Sequence, residues 1–324
     1  MKPGHLLLLL LFGTSAPAAE PLKLVAEPLP PKTASPPEAS TYAPLFDASA
    51  DADCRRLFES DRAFDSFIGP ISNPVLSKDP RALTEARLLF VSDWIPNEHP
   101  FHGGDFQAYG LQVRVALTDR LSFIADKDGY ASIHPGNGPS RNGWLDIALG
   151  LKYAFVRDPD RQLLVTGGFQ FEPQTGEEKV FQGHGDGLFT VFTSAGKGFC
   201  NGFHILANAG YQFPADSAEN SSFFYSQLHL DRQLFGWVYP LVELNWFHYT
   251  AGGRRGLPAA IGEGDGLINI GTSDVAGNDL VTAAVGLKFV LGKHLDVGVA
   301  YETPLSNRKD LLDNRLLVEA IIRY

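Results

Sequence analysis

The sequence has little sulfur, no long apolar run and no basic excess. Its 324 residues include two cysteines and one methionine. No apolar stretch reaches the roughly 20 residues that a membrane-spanning helix requires. The formal charge is −10 at pH 7. Nucleic-acid-binding proteins typically carry a basic patch, so we expect no nucleic-acid partner. We expect no cofactor either, because no cofactor-binding motif stands out.

The first residues have the pattern of a secretory signal peptide. Lys2 precedes the apolar run 6–12, and the small residues 16–19 suit a cleavage site, which predicts a signal peptide over 1–19. No cysteine lies near that site, so a lipoprotein anchor is not expected. An exported chain without a spanning helix is either a soluble protein or a membrane β-barrel.

The segment 20–84 is expected to be a periplasmic tail. Its first part, 21–44, is rich in Pro, Ala and Ser and has too little apolar content to fold, so we expect it to be flexible. Asp53 precedes an amphipathic stretch, 53–69, which predicts a short helix. Residues 85–324 then form a separate domain.

The last residues of the chain alternate between two very different faces. Because side chains alternate across a strand, one face is apolar and ends on an aromatic residue, whereas the other carries both charge signs. The first face comprises Tyr324, Ile322, Ala320, Val318 and Leu316; the second comprises Arg323, Ile321, Glu319, Leu317 and Arg315. Such a strand suits a barrel with lipid outside and water inside.

Similar strands recur from residue 85 onward, and we count twelve. The clearest is 145–153, in which Leu145, Ile147, Leu149 and Leu151 are expected to face lipid. Short links near 118–119, 157–160, 196–198, 232–233 and 292–294 alternate with long ones near 97–106, 129–142, 174–187, 214–222, 250–279 and 304–311. This alternation is typical of outer-membrane barrels, with short periplasmic turns and long external loops. The mean hydropathy of −0.07 fits too, since only half the residues of a barrel meet lipid. We therefore predict an all-β, antiparallel transmembrane β-barrel of about 12 strands in a bacterial outer membrane.

The same alternation predicts which charged residues line the lumen. Both signs occur, so neighbouring strands can pair them; the set fits a solute path and equally a closed, salt-bridged interior. The predicted lumen-lining residues are Arg114, Asp126, Asp146, Lys152, Glu172, Asp231, Glu243, Lys288, Asp296, Glu302, Arg315, Glu319 and Arg323. Lys152, Lys288 and Arg323 are expected to form a basic collar at the periplasmic mouth. Whether the segment 53–80 blocks the lumen stays open.

Three motifs resemble one bacterial family. These are 150–153 (Gly-Leu-Lys-Tyr), 171–176 (Phe-Glu-Pro-Gln-Thr-Gly) and the glycine-rich 183–187. Together they resemble the outer-membrane barrels of the phenol-degradation meta-pathway transporter family, over roughly residues 85–324. The resemblance implies a channel or transporter for small solutes, with hydrophobic and aromatic compounds as candidates. We expect no enzyme activity.

Two other functions are weighed against the channel. A lipid-modifying barrel enzyme needs a Ser and a His side by side near the outer rim, but Thr250, not Ser, follows His248 at the required spacing. A structural envelope barrel anchored through the tail is the third possibility. His99, His102 and Asp105 lack a defined metal-ligand spacing, so no metal site is predicted.

The remaining expectations concern partners and cysteines. Besides membrane lipid and small solutes, we expect the barrel assembly machinery to recognise the C-terminal strand. Cys54 and Cys200 are both placed on the periplasmic side, an oxidising compartment, so they are candidates for a disulfide.

Overall fold

The computed structural model describes residues 56–324, and nearly all of its regular structure is β-strand. No helix in this part of the chain is long and apolar enough to cross a membrane. The strands are β1 (Glu85–Trp94), β2 (Gly104–Ala116), β3 (Leu121–Lys127), β4 (Tyr130–Pro135), β5 (Arg141–Trp144), β6 (Ala148–Asp158), β7 (Leu163–Glu172), β8 (Leu188–Gly198), β9 (Phe203–Pro214), β10 (Ser222–Arg232), β11 (Val238–Ala251), β12 (Asp279–Val290), β13 (Leu295–Pro304) and β14 (Asn314–Arg323).

The strands form a closed antiparallel barrel. Each strand from β7 to β13 pairs with both of its sequence neighbours, and β1 closes the wall by pairing with both β14 and β2. Both β3 and β4 pair with β2, at its two ends, while β6 pairs with β3 and β5 with β4. Because β3 and β4 form one interrupted strand, and β5 and β6 another, the wall has twelve strands, as the sequence predicts.

The two faces of the wall differ in chemistry. On β14, Val318 and Ile322 are exposed on the outside, whereas Leu317 and Glu319 are buried inside. Ile147, Leu149 and Leu151 are also exposed, but Leu145 is only 4% exposed, so its expected position on the lipid face is wrong. The reason is local: Leu145 lies between β5 and β6, where the chain bends inward and its N–H donates to the Gly129 carbonyl (2.9 Å).

Short and long connections alternate around the barrel. The chain leaves the wall by short turns at one end, called here the turn end, and by longer segments at the other, the loop end. The expected loop 129–142 is mostly strand, because β4 and β5 extend the wall and leave only 136–140 as a turn. The longest connection joins β11 to β12; its part 259–275, called here the inserted loop, folds into the barrel, where Leu267, Ile268 and Ile270 are buried.

Residues 60–83, called here the plug, lie inside the barrel and not beneath it. Phe64, Phe67, Ile68 and Ile71 are all at most 1% exposed. The short helix expected over 53–69 is absent from the described part, 56–69, which has one 3-10 turn, Arg62–Phe64. The plug does not need helical hydrogen bonds, because side chains of the wall form hydrogen bonds with its backbone N–H and carbonyl groups.

Candidate functional site

The thirteen charged residues predicted to line the lumen all lie inside the barrel. Every one except Arg323 is at most 7% exposed, and the Arg323 side chain is 11% exposed. Most take part in ion pairs with each other or with the plug. The pairs within the wall are Arg114 with Glu85 and Asp126, Lys127 with Glu172, Arg87 and Lys288 with Glu319, Arg315 with Asp93 and Glu302, and Arg323 with Glu85 and Asp296.

Near the turn end, two lysines of the expected basic collar bind the plug. Lys288 on β12 donates to the Gly69 carbonyl (2.7 Å). Lys152 on β6 donates to the carbonyls of Asp79 and Arg81, the second at 2.6 Å. The third member, Arg323, pairs with the wall carboxylates of Glu85 and Asp296. The collar therefore holds a peptide segment in place.

Midway along the lumen, Glu243 on β11 clamps the plug. Its carboxylate accepts hydrogen bonds from the Ile71 N–H (2.8 Å) and the Ser72 N–H (2.6 Å). His229 on β10 bridges the carboxylates of Glu243 (2.7 Å) and Asp231 (3.0 Å). His204 contacts the other oxygen of Asp231 (2.7 Å). The two inward histidines thus orient buried carboxylates.

The plug also carries charges of its own. Its Asp79 and Arg81 pair with each other at 2.6 Å, and Lys78 reaches Asp126 of the wall at 2.9 Å. Although burial opposes the charge of Asp79, Arg81 lowers the pKa of this carboxyl. Burial lowers the pKa of Lys78, against the pull of Asp126. Unpaired charges at these depths would be costly, so the plug fits this wall specifically.

The inserted loop seals the lumen from the loop end. Asp265 pairs with Arg315 of β14 at 2.7 Å, beside Asp93 and Glu302. Burial raises the pKa of Asp265 to about 7, although Arg315 acts in the opposite direction. Burial likewise raises the pKa of Glu263, whose carboxylate accepts from Ser221 Oγ (2.6 Å) and from loop N–H groups. The contact of Asp265 with Arg315, called here the seat of the inserted loop, is therefore sensitive to protons.

The wall ladder is interrupted beside β2. β2 pairs with β4 up to Tyr109 and with β3 from Val113 onward, so the intervening residues have no partner strand on that side. The Leu111 N–H donates instead to the Asp128 carboxylate (2.7 Å). Gly129 passes so close to β2 that a Cβ would lie 2.0 Å from the Tyr109 carbonyl oxygen. The kink between β3 and β4 therefore leaves a thin region in the wall.

Two spaces meet at this thin region. Outside lies a groove of about 550 Å³, and inside lies a cavity of about 20 Å³ between the wall, the plug and the inserted loop. Gly110, Asp128 and Leu145 line both of them. The groove is completed by Tyr109, Leu111, Gly129, Tyr130, Trp144, Ile147 and Thr175, and the cavity by Val75, Leu89, Val91, Ala108, Gln112, Asp126, Lys127 and Leu267.

Asp146 organises the loop end beside the groove. Its carboxylate accepts from the N–H groups of Thr175 and Gly176 (both 2.7 Å) and Gly183. Two motifs singled out in the sequence, 171–176 and 183–187, thus fold around one inward carboxylate. This assigns them a structural role at the rim of the groove.

The other candidate residues lie in separate contacts, Asp105 with His134 and His248 with Asp279. His99 is engaged through both ring nitrogens, with the Ile261 carbonyl and the Phe101 N–H. Burial lowers its pKa. Within residues 56–324, no group of three or more potential ligands could hold a metal ion. Cys200 is exposed in the turn between β8 and β9, whereas Cys54 lies outside the described residues, so their disulfide stays a prediction.

Two parts of the site were not located from the sequence. The sequence predicts a periplasmic tail over 20–84 and leaves open whether 53–80 blocks the lumen. The inserted loop was recognised only as long. The signal that would have found both is the apolar content within them, Ile68, Ile71, Val75 and Leu76 in the plug and Leu267–Ile270 in the loop, which a solvated linker does not need.

No family model and no curated protein matches this sequence. Among solved structures, the chain is similar to an outer membrane channel from Pseudomonas putida F1, with 11% identity, a TM-score of 0.55, and coverage of 80% of this chain and 100% of that one. The NanC porin gives 9% identity, a TM-score of 0.47, and coverage of 74% and 99%. The translocator domain of the autotransporter NalP from Neisseria meningitidis gives 10%, 0.47, and coverage of 76% and 89%. At these identities the first similarity establishes a shared barrel fold.

Proposed function

We propose that this protein is an outer-membrane channel for small apolar or aromatic solutes, held closed in the structure by the plug and the inserted loop. The observation that carries the proposal is the interruption of the wall, with the outer groove and the inner cavity on its two sides. A barrel that served only as a structural shell has no need for such a thin region. Its fold is shared with a protein named an outer membrane channel, which supports the same function.

The chemistry of the groove supports the solute class. Its walls are aromatic and aliphatic, with Tyr109, Tyr130 and Trp144 beside Leu111 and Ile147. Tyr130 and Trp144 pack edge to face, with ring centroids 5.3 Å apart. Binding sites for apolar molecules are lined in this way, and a volume of several hundred Å³ is enough for a small aromatic ring.

Passage inward requires movement of the plug or of the inserted loop. The inner cavity is too small for an organic solute, so the plug residue Val75 or the loop residue Leu267 has to withdraw first. Both elements are held by apolar packing, hydrogen bonds and ion pairs, not by strand pairing. The closed barrel and an open channel can therefore share one wall.

The test measures uptake into proteoliposomes of a small aromatic hydrocarbon and of a sugar of similar size. Ile147→Trp places a bulky ring in the groove, and we expect it to reduce aromatic uptake severalfold. Val242→Trp is the matched control, since Val242 is likewise an exposed apolar residue on the outer face but lies outside the groove. Equal effects of the two substitutions would contradict entry at the groove.

A second candidate follows from the filled lumen. If wild-type protein and a variant with a loosened plug both pass no solute, the barrel is a structural element of the envelope.

We also propose that the barrel assembly machinery recognises β14 with its terminal Tyr324. Loss of assembly on removal of Tyr324, with β14 otherwise intact, is the result expected.

A further inference from the structure

The plug is attached to the barrel almost entirely through wall side chains. Apart from Thr84, whose carbonyl accepts from the Tyr324 N–H, the backbone–backbone hydrogen bonds of residues 56–84 stay within that segment. Examples are Asp61 N–H to the Ala82 carbonyl (2.8 Å) and Ser77 N–H to the Asn73 carbonyl (2.9 Å). The plug can therefore leave the lumen without breaking a single pairing of the wall.

The wall binds the plug mainly through the main-chain carbonyl groups of the plug. Lys288, Arg87, Gln227, Gln112, Lys152 and Thr166, from six different strands, all donate to main-chain oxygens of the plug. The oxygens belong to Gly69, Pro70, Ile71, Ser72, Pro74, Asp79, Pro80 and Arg81. Carbonyl groups are common to every peptide, so these donors do not depend on the plug's side chains.

The wall also binds selected N–H groups. Glu243 accepts from two successive ones, at Ile71 and Ser72, and Asn208 accepts from the Lys78 N–H (2.9 Å). Hydrogen bonds to an ionised carboxylate are about twice as strong as neutral ones. His229 holds Glu243 in position from the neighbouring strand. The N–H groups at the middle of the plug therefore fix its register.

The composition of the plug matches this surplus of donors. Pro70, Pro74 and Pro80 have no N–H, so this segment offers more carbonyls than N–H groups. Direct hydrogen bonds between the wall and plug side chains are fewer and involve Asp61, Ser72 and Lys78. A recognition surface of this kind binds a proline-containing main chain, here one with a turn over residues 74–76.

We propose that the lumen wall is a binding site for proline-containing peptides that can adopt this turn, and that residues 69–81 are its tethered occupant. The plug is then an internal ligand, and a peptide of the same main-chain pattern supplied from outside competes with it. This goes beyond the proposed channel function, because peptide binding is measured without any transport.

The experiment uses the full chain with Ile71→Asp, which buries a carboxylate next to Glu243 and so expels the plug. A fluorescent peptide with the sequence of residues 67–82 should bind this variant at least about tenfold more tightly than it binds the wild type, whose site is occupied. Retention of the heat-modifiable gel mobility of a folded barrel shows that the variant is assembled.

A chemical change to the peptide separates main-chain recognition from simple apolar adsorption. N-methylation at the Ile71 and Ser72 positions removes the two N–H groups that Glu243 accepts and leaves the side chains intact. We expect at least about tenfold weaker binding. A peptide with alanine at the Ser77 position, whose hydroxyl has no hydrogen-bond partner, should bind within about threefold of the original. Unchanged affinity after N-methylation, or no binding to the folded variant, overturns the proposal.

A second variant applies if Ile71→Asp does not fold. Leu76→Ala removes apolar contact alone, and Ser77→Cys serves as the reporter, since the buried Ser77 hydroxyl has no hydrogen-bond partner. With Cys54 and Cys200 replaced by serine, excess peptide should raise the alkylation rate of Cys at 77 severalfold. The N-methylated peptide should not, and equal effects of both peptides overturn the proposal.

Discussion

Gly266 of the inserted loop lies directly against Leu76 of the plug. A Cβ on Gly266 would lie 2.3 Å from Leu76 Cδ1, and the φ of +86° at Gly266 is one that glycine adopts without strain. The two closing elements, which enter the barrel from opposite ends, therefore meet inside it. Any substitution at Gly266 must move one of them.

Gly266→Ala should loosen the closure. The added methyl group collides with Leu76, and we expect the leak of small solutes through reconstituted protein to rise severalfold. Gly256→Ala is the matched control, because Gly256 has a similar φ of +78° in the same connection but no atom within 4 Å of its Cβ position. If both variants leak equally, backbone strain and not the contact with Leu76 is responsible.

The seat of the inserted loop should weaken as pH rises. The pKa of Asp265 is raised by burial to about 7 from an ordinary value of 3.8, so the seated loop binds a proton more tightly than the released loop. Binding of this proton stabilises the seated loop in full below about pH 4. This stabilisation is lost as pH rises to about 7, by at most about 1.4 kcal/mol per pH unit. Glu263 acts in the same direction.

A spin label at the exposed position of Ala260 measures this change, in protein whose two cysteines are replaced by serine. Label mobility should increase between pH 5 and pH 8. Asp265→Asn stays neutral at every pH and should reduce the dependence to the part due to Glu263. An Asn variant with the full wild-type dependence would show that Asp265 is not the group that titrates.

The lipid face can be tested on β6. Leu151 is exposed on the outside, and a cation in the middle of the hydrocarbon layer costs about 2–4 kcal/mol. Leu151→Arg should therefore reduce the yield of heat-modifiable barrel in outer membranes, while Leu151→Ala should leave it nearly unchanged. Normal assembly of the Arg variant would place this strand outside the hydrocarbon layer.

The two cysteines should be linked in protein from an oxidising compartment. Cys200 is exposed at the turn end, where the chain also enters the plug. A Cys54–Cys200 bond would tether the start of the plug to the wall and oppose its release. Mass spectrometry of non-reduced protein should find the linked peptide, and two alkylatable thiols would falsify the prediction.

The barrel itself could be predicted from the sequence because its signal is local. Side chains alternate between lipid and lumen with a period of two residues, so a strand such as 316–324 shows both faces within nine residues. The strand number follows, since turn residues separate the strands. Which charges face inward also follows from the period of two, and residues such as Glu243 and Lys288 are indeed inside.

The tertiary structure alone decided what fills the lumen. The plug resembles a linker when read by itself, since Pro70, Pro74 and Pro80 exclude helix and strand. It becomes ordered because donors from many strands, far apart in sequence, converge on its carbonyls, as Lys288 does on Gly69 across more than 200 residues. Such long-range contacts leave no periodic trace. The sequence by itself determined the wall, whereas only the closed barrel brought together the groups that make the plug and the inserted loop fold inside it.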